Sequence, residues 1–125
     1  MISVKDVLEL HRRLVAATGG ADGVRDRSIL ESALARPFQT FGGQALYPGI
    51  LEQGAALIES LVVNHPFVDG NKRTGYTTLR TFLRVNKMDI VATEDEKYDF
   101  VISIAAGEFR YDEILEWLKN NTREL

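Results

Sequence analysis

Within "NHPFVDGNKRTG", residues 64–75, a histidine, an acid, a glycine, an asparagine and two cations crowd between two helix-like segments. His65 falls at the end of the first segment and Asn71 at the start of the second. The first turn of a helix carries unpaired N–H groups and the positive end of the dipole, so it is a ready anion site. Gly70, just before that turn, lets the backbone bend tightly and leaves room for a ligand oxygen. Lys72 and Arg73 add full positive charges there, the wrong sign for helix stability alone. A phosphate would remove that conflict. Asp69 would repel a phosphate unless a divalent cation stood between them, and Mg²⁺ held by one carboxylate and phosphate oxygens meets that need. Histidine, whose titration lies nearest neutrality, can take a proton from a hydroxyl. Together these are the parts of a phosphoryl- or nucleotidyl-transfer site.

Taken singly, each residue has an ordinary explanation. Asp69-Gly70 is a turn signal, Lys72 and Arg73 could be a solvated helix face, and a lone histidine beside a proline is commonly a packing or capping residue. Phe67 reads as a core anchor under any interpretation. The second histidine, His11, lies in "LHRRL" and reads as helix surface. Only the combination within one turn carries the functional reading.

The elements that must position this turn are helical. "SVKDVLELHRRLVAAT" places Val4, Val7, Leu8, Leu10, Leu14 and Val15 mainly on one side, with Ser3 as N-cap, Asp6 in the first turn and Gly19-Gly20 as terminator. A second helix opens at Asp26 or Arg27 and is closed by Pro37. "FQTFGGQALYPG" has no helical period and reads as a loop or short hairpin. Helices are then expected over 50–64 and 71–86, the latter carrying Leu79, Phe82, Leu83 and Val85. Thr93 with Glu96 forms a capping-box pattern for a helix ending near Gly107. "YDEILEWLKNN" makes the last helix. "MDIVA", at 88–92, is the one strand candidate, with no partner in view except the flap-like loop. The expectation is an all-α fold, a compact bundle of six to seven helices in a single domain over 1–125.

Composition narrows the setting. A chain of 125 residues, 45% hydrophobic and 26% charged, is that of a globular domain, long enough to bury roughly two-thirds of its unfolded surface. A net charge of −3 gives no basic field for nonspecific nucleic-acid binding. Without cysteine there are no disulfides or thiolate metal sites. The N-terminal residues show no leader pattern and no apolar run is long enough to span a bilayer. A cytoplasmic protein with neither nucleic-acid nor membrane partners is expected.

"HPFVDGNKR" closely resembles the signature of the Fic/Doc family: histidine, any, phenylalanine, any, acid, small, asparagine, glycine or lysine, arginine. "GGADGVRDRSILESALARP" and "AAGEFRYDEILEWL" resemble the opening and closing regions of its Doc, or death-on-curing, branch. The resemblance implies a Fic fold using ATP and Mg²⁺. It implies that His65 activates a target hydroxyl, Phe67 anchors the motif and Asp69 binds the metal, while Gly70, Asn71, Lys72 and Arg73 hold the phosphates. The region around 39–47, with Thr40, Phe41, Gly42 and Gly43, matches the family's flap, which clamps the target by backbone pairing.

Two positions distinguish the branches. The adenylylating branch has glycine after the asparagine and a second arginine three residues beyond the first; here Lys72 and Tyr76 stand there. A lysine fills space the usual phosphate pose needs, and tyrosine cannot replace a planar guanidinium clamp. Arg80 lies a turn further along and is not the same group. The Doc branch shares this lysine and lacks that arginine. The resemblance therefore implies a toxin of a Phd/Doc-type toxin–antitoxin system. It implies the activity of a protein kinase, passing the γ-phosphate of ATP to a threonine of elongation factor Tu and arresting translation. No inhibitory-helix pattern of serine or threonine followed by glutamate and glycine or asparagine occurs, which implies control by a separate Phd-like antitoxin. An AMP transferase of the same fold is one alternative. A noncatalytic antitoxin- or anion-binding helical module is another.

Overall fold

The computed structural model describes residues 2–125. Among them are six α-helices: α1 (Val4–Thr18), α2 (Arg27–Ala35), α3 (Ile50–Asn64), α4 (Asn71–Val85), α5 (Glu94–Ala105) and α6 (Tyr111–Asn121). Four short strands complete the chain: β1 (Thr40–Phe41), β2 (Gln44–Ala45), β3 (Met88–Ile90) and β4 (Thr122–Glu124). The fold is all-α, with two antiparallel two-stranded ribbons at its edge.

Local signals set the helix starts. The Ser3 hydroxyl accepts from the Asp6 N–H and the Asp6 carboxylate returns the bond, a capping box. Asp26 caps α2 by accepting from Ile29 N–H. Thr93 and Glu96 form the second reciprocal box, at α5. Pro37 does not end α2 abruptly; it sits in a 3₁₀ turn, Arg36–Phe38, that continues the helix.

The central helix is α3, packed by α2, α4, α5 and α6. Ala55, Ala56, Leu57, Ile58, Leu61 and Val62 are all buried on it. Each large apolar side chain so buried is worth about 1.5–3 kcal/mol against exposure. Its contact with α4 is close because glycines face the partner helix. A Cβ at Gly54 would lie 2.9 Å from Leu79 Cδ1, and one at Gly75 would lie 2.8 Å from Val62 Cγ2. This packing brings the end of α3 beside the start of α4, leaving residues 65–70 as a short corner between them.

Two expectations are corrected. The strand candidate at 88–92 does not pair with the flap-like loop. It forms β3, which pairs with the chain's last residues in the register Met88↔Glu124, Asp89↔Arg123 and Ile90↔Thr122. His11 is not helix surface: it lies on the inward stripe of Val7 and Val15 and is buried.

Candidate active site

The corner is held by more than its own residues. His65 adopts a left-handed conformation, φ 51° and ψ 60°, at the C-cap of α3. That region is uncommon for a non-glycine residue and persists only where neighbours enforce it. Arg25 supplies the enforcement. Its Nε donates to the His65 carbonyl at 2.7 Å and its Nη2 to the Asn64 carbonyl at 2.9 Å. A cation there also suits the negative end of the α3 dipole.

Residues 20–26 run along the motif as a brace. Arg25 N–H and Asp26 N–H both donate to the Pro66 carbonyl, and Val68 N–H donates to Gly23. Val24 and Phe67 form an antiparallel bridge. Phe67, 1% exposed, enters the core and lies on the His11 ring, centroids 3.9 Å apart and 7° from parallel. From the other side, the Asn71 carboxamide grips Phe67 twice, accepting its N–H and donating to its C=O, each at 3.0 Å. The side chain of Asn71 is thus engaged within the loop, which leaves its backbone N–H, in the first turn of α4, as the group available to a ligand.

Asp69 is exposed, and its surroundings favour the ionised form. The N–H of Gly70, at 2.8 Å, and that of Ala21, at 3.3 Å, hold its carboxyl below the usual aspartate range, with the Arg73 charge adding to them. A Cβ at Gly20 would lie 2.7 Å from Asp69 Oδ2, so only glycine leaves the carboxylate its place. Gly70 is left-handed, φ 75°, which the turn into α4 requires.

One open cavity of about 340 Å³ is lined by His65, Asp69, Gly70, Asn71, Lys72 and Arg73, together with Val68. The expected site residues therefore converge, apart from Phe67, which is behind the loop, and the flap. Thr40 and Phe41 pair with Ala45 and Gln44 across Gly42-Gly43, whose positive φ values of 59° and 78° fit a tight hairpin turn. Phe41 at its tip is 80% exposed, and the hairpin does not line the cavity. A second cavity of about 370 Å³ shares Lys72 and Arg73 and extends between α4 and α5, past Tyr76, Lys97, Tyr98 and Ile102. Arg73 rests on the end of α1, donating to Thr18 Oγ1 at 2.7 Å. The Tyr76 hydroxyl is buried without a partner, and burial raises its pKa, so it presents no charge near neutrality.

Comparison with known proteins gives the family. The model of the Fic/DOC family matches residues 1–83, which include the whole corner and most of α4. The chain belongs to the Fic/Doc family. It is 44% identical over 79 residues to Toxin Doc of Mycolicibacterium smegmatis (strain ATCC 700084 / mc(2)155), covering 63% of this chain and 61% of that protein. It is 25% identical over 118 residues to Protein kinase doc of Escherichia phage P1, covering 94% of this chain and 92% of that one. These relatives carry the Doc name, and the chain falls in the Doc branch of the family.

The residues present fit a magnesium ion. Asp69 is ionised, exposed and beside an anion cradle. Among the described residues no cluster of three or more histidine, cysteine or acidic side chains could hold a metal. An ion here would take one carboxylate and complete its shell with phosphate oxygens and water, as Mg²⁺ readily does.

Sequence reasoning missed His11, Arg25 and the bracing role of residues 20–26. The spacing of Val7, His11 and Val15, four residues apart on one helix face, was the available sign for His11. Arg25 shows no pattern that separates it from a surface cation.

Proposed function

We propose that the chain is a Doc-like toxin kinase, transferring the γ-phosphate of ATP to a serine or threonine hydroxyl of a translation factor, with a threonine of elongation factor Tu the expected target. The observation that carries this reading is the pair Lys72 and Tyr76. Lys72 stands in the first turn of α4 on the border of both cavities, and a neutral tyrosine stands where a second arginine would clamp an AMP-transferring pose. The names of the two relatives, a toxin and a protein kinase, support it.

In this reading His65 accepts the proton of the target hydroxyl as its oxygen bonds to the γ-phosphorus. The bond from that phosphorus to the β–γ bridging oxygen breaks, and ADP leaves. The first N–H groups of α4, with Lys72 and Arg73, hold the charge on the transferring group. Asp69 would hold Mg²⁺, which when bound neutralises phosphate charge and orients the β- and γ-oxygens. The cavity between α4 and α5 takes the remainder of the nucleotide, with Tyr98 and Ile102 offering apolar surface. The hairpin at Thr40–Ala45 presents unpaired strand edges to the target, and Phe41 gives it an apolar tip. A Phd-like antitoxin restrains the activity.

The intact Asp69-Gly70-Asn71 turn supports AMP transfer as the second reading. ATP labelled at the α or the γ position distinguishes them in a translation-competent lysate, with His65→Ala as control. Label reaching protein from the γ position alone supports the kinase; label from the α position alone overturns it.

A further inference from the structure

His11 is the only ionisable side chain that is buried among the described residues, 2% exposed, and the reaction above gives it no part. Its ring is fixed on three sides. One face lies on Phe67. Nε2 is 2.8 Å from the Asp69 carbonyl oxygen. Nδ1 faces the exposed Asp22 carboxylate at 3.7 Å, which itself accepts the Gly23 N–H. A carbonyl oxygen only accepts, so Nε2 carries the proton and donates.

This bond acts on one peptide unit. The Asp69–Gly70 peptide is held at its C=O by His11 and at its N–H by Asp69 Oδ1, at 2.8 Å in both cases. Turning the peptide would break both bonds and swing the Asp69 carboxylate away from the cradle. It would also disturb Gly70, whose left-handed conformation starts α4. Core filling alone does not call for histidine here, since a phenylalanine would cover Phe67 as well. The Asp69 carbonyl calls for a buried donor.

We propose that His11 is a positioning residue: through the Asp69–Gly70 peptide it sets the direction of the Asp69 carboxylate and of the leading N–H groups of α4. Its effect on catalysis rests on the reading of the site given above; its effect on the peptide does not.

Three variants test it. His11→Phe keeps an aromatic ring against Phe67 and removes the donor. His11→Gln offers a side-chain N–H near the place of Nε2, and His11→Asn, equally polar, falls short of it. Hydrogen exchange at the Gly70 amide is read by NMR in nucleotide-free protein, beside the thermal midpoint, and kcat and KM are read with ATP and target. The expected result is Gly70 exchange faster by about tenfold or more in the Phe and Asn variants, returning close to the parent in Gln. In the same two variants kcat falls about 10–100-fold with KM for the target little changed, and Gln restores it to within about threefold. Gly70 exchange and kcat unchanged in His11→Phe, or lost equally in Gln and Asn, overturns the proposal. If the Phe variant does not fold, the contrast between Gln and Asn decides alone. A parent protein with no phosphate transfer sinks the kinase reading only, and Gly70 exchange still decides the role of His11.

Discussion

The guanidinium of Arg25 spans the carbonyls of Asn64, the last residue of α3, at 2.9 Å and of His65, its C-cap, at 2.7 Å, from a segment some forty residues earlier in the chain. The residue so held is the candidate base, in a backbone conformation it would not keep alone. Arg25→Ala should cost about 1 kcal/mol of stability, the loss of an exposed charged hydrogen-bonding group. It should cost activity far more, because the His65 backbone is released. Arg25→Lys should restore little, since an ammonium lacks the fork that reaches two carbonyls. Thermal unfolding set beside single-turnover transfer rates checks this; parallel losses in both would argue against a specific hold on His65.

Gly20 makes room for the Asp69 carboxylate. In Gly20→Ala the new methyl would meet Asp69 Oδ2 at 2.7 Å, and the φ of 110° is itself unfavourable for alanine. The carboxylate must move, so the Mg²⁺ concentration for half-maximal activity should rise about tenfold or more. Titration of activity with Mg²⁺ at saturating ATP measures it. An unshifted Mg²⁺ dependence would mean that Asp69 does not hold the ion.

The fold was legible where information is local. Ser3 with Asp6, Asp26, and Thr93 with Glu96 each mark a helix start within four residues of chain, and the structure uses them all. The corner was legible too, because its residues are contiguous from His65 to Arg73 and converge by the geometry of one helix start. What could not be read depends on partners distant in sequence. "TRE" at the C-terminus has little strand character and becomes β4 only because β3 offers it an edge. The brace of residues 20–26 has the composition of a loop, and its bonds to Pro66 and Val68 arise only once α1 and α2 are placed. His11 reads as polar until the Asp69 carbonyl, 58 residues away in sequence, gives it an acceptor.

The α3–α4 contact predicts a penalty at Gly75. Alanine is the better helix former by about 0.8–1.0 kcal/mol, which taken alone would make Gly75→Ala stabilising. The added Cβ would approach Val62 Cγ2 at 2.8 Å in a buried interface, however, and overpacking of this kind costs about 1–3 kcal/mol. Net destabilisation is expected. Denaturant unfolding with an unchanged slope is the measurement, and a midpoint at or above the parent's would contradict the packing argument.

Acid should loosen the β3 edge. Burial opposes ionisation of Asp89, but hydrogen bonds and charge from Arg80, the Ile90 N–H and the Arg84 charge more than offset it, and its pKa lies below the ordinary value. A depressed folded-state pKa contributes stability that is complete above the unfolded-state value, about 3.9, and is lost as pH falls through the folded value. Asp89→Asn should therefore be less stable than the parent at neutral pH, with the difference shrinking toward strongly acidic pH. Unfolding midpoints of both proteins across that range test it; a difference constant with pH would remove the ionic account.

The choice of transferred group should be separable by two substitutions. Lys72→Gly opens the first turn of α4 where the lysine borders both cavities, and Tyr76→Arg adds a guanidinium one helical turn beyond. The double variant reproduces the adenylylating pattern at both positions. Lys72→Gly alone should weaken γ-phosphate transfer by at least about tenfold, if the lysine charge serves the transferring group as proposed. The double variant should gain incorporation of α-label that the parent lacks. Tyr76→Arg must also place its charge where a half-buried phenol now sits, so this variant is less stable unless a phosphate compensates it. ATP should accordingly raise the thermal midpoint of the double variant more than that of the parent. If the double variant keeps γ-transfer at the parental rate, Lys72 and Tyr76 do not select the phosphate, and the selection must come from the cavity between α4 and α5.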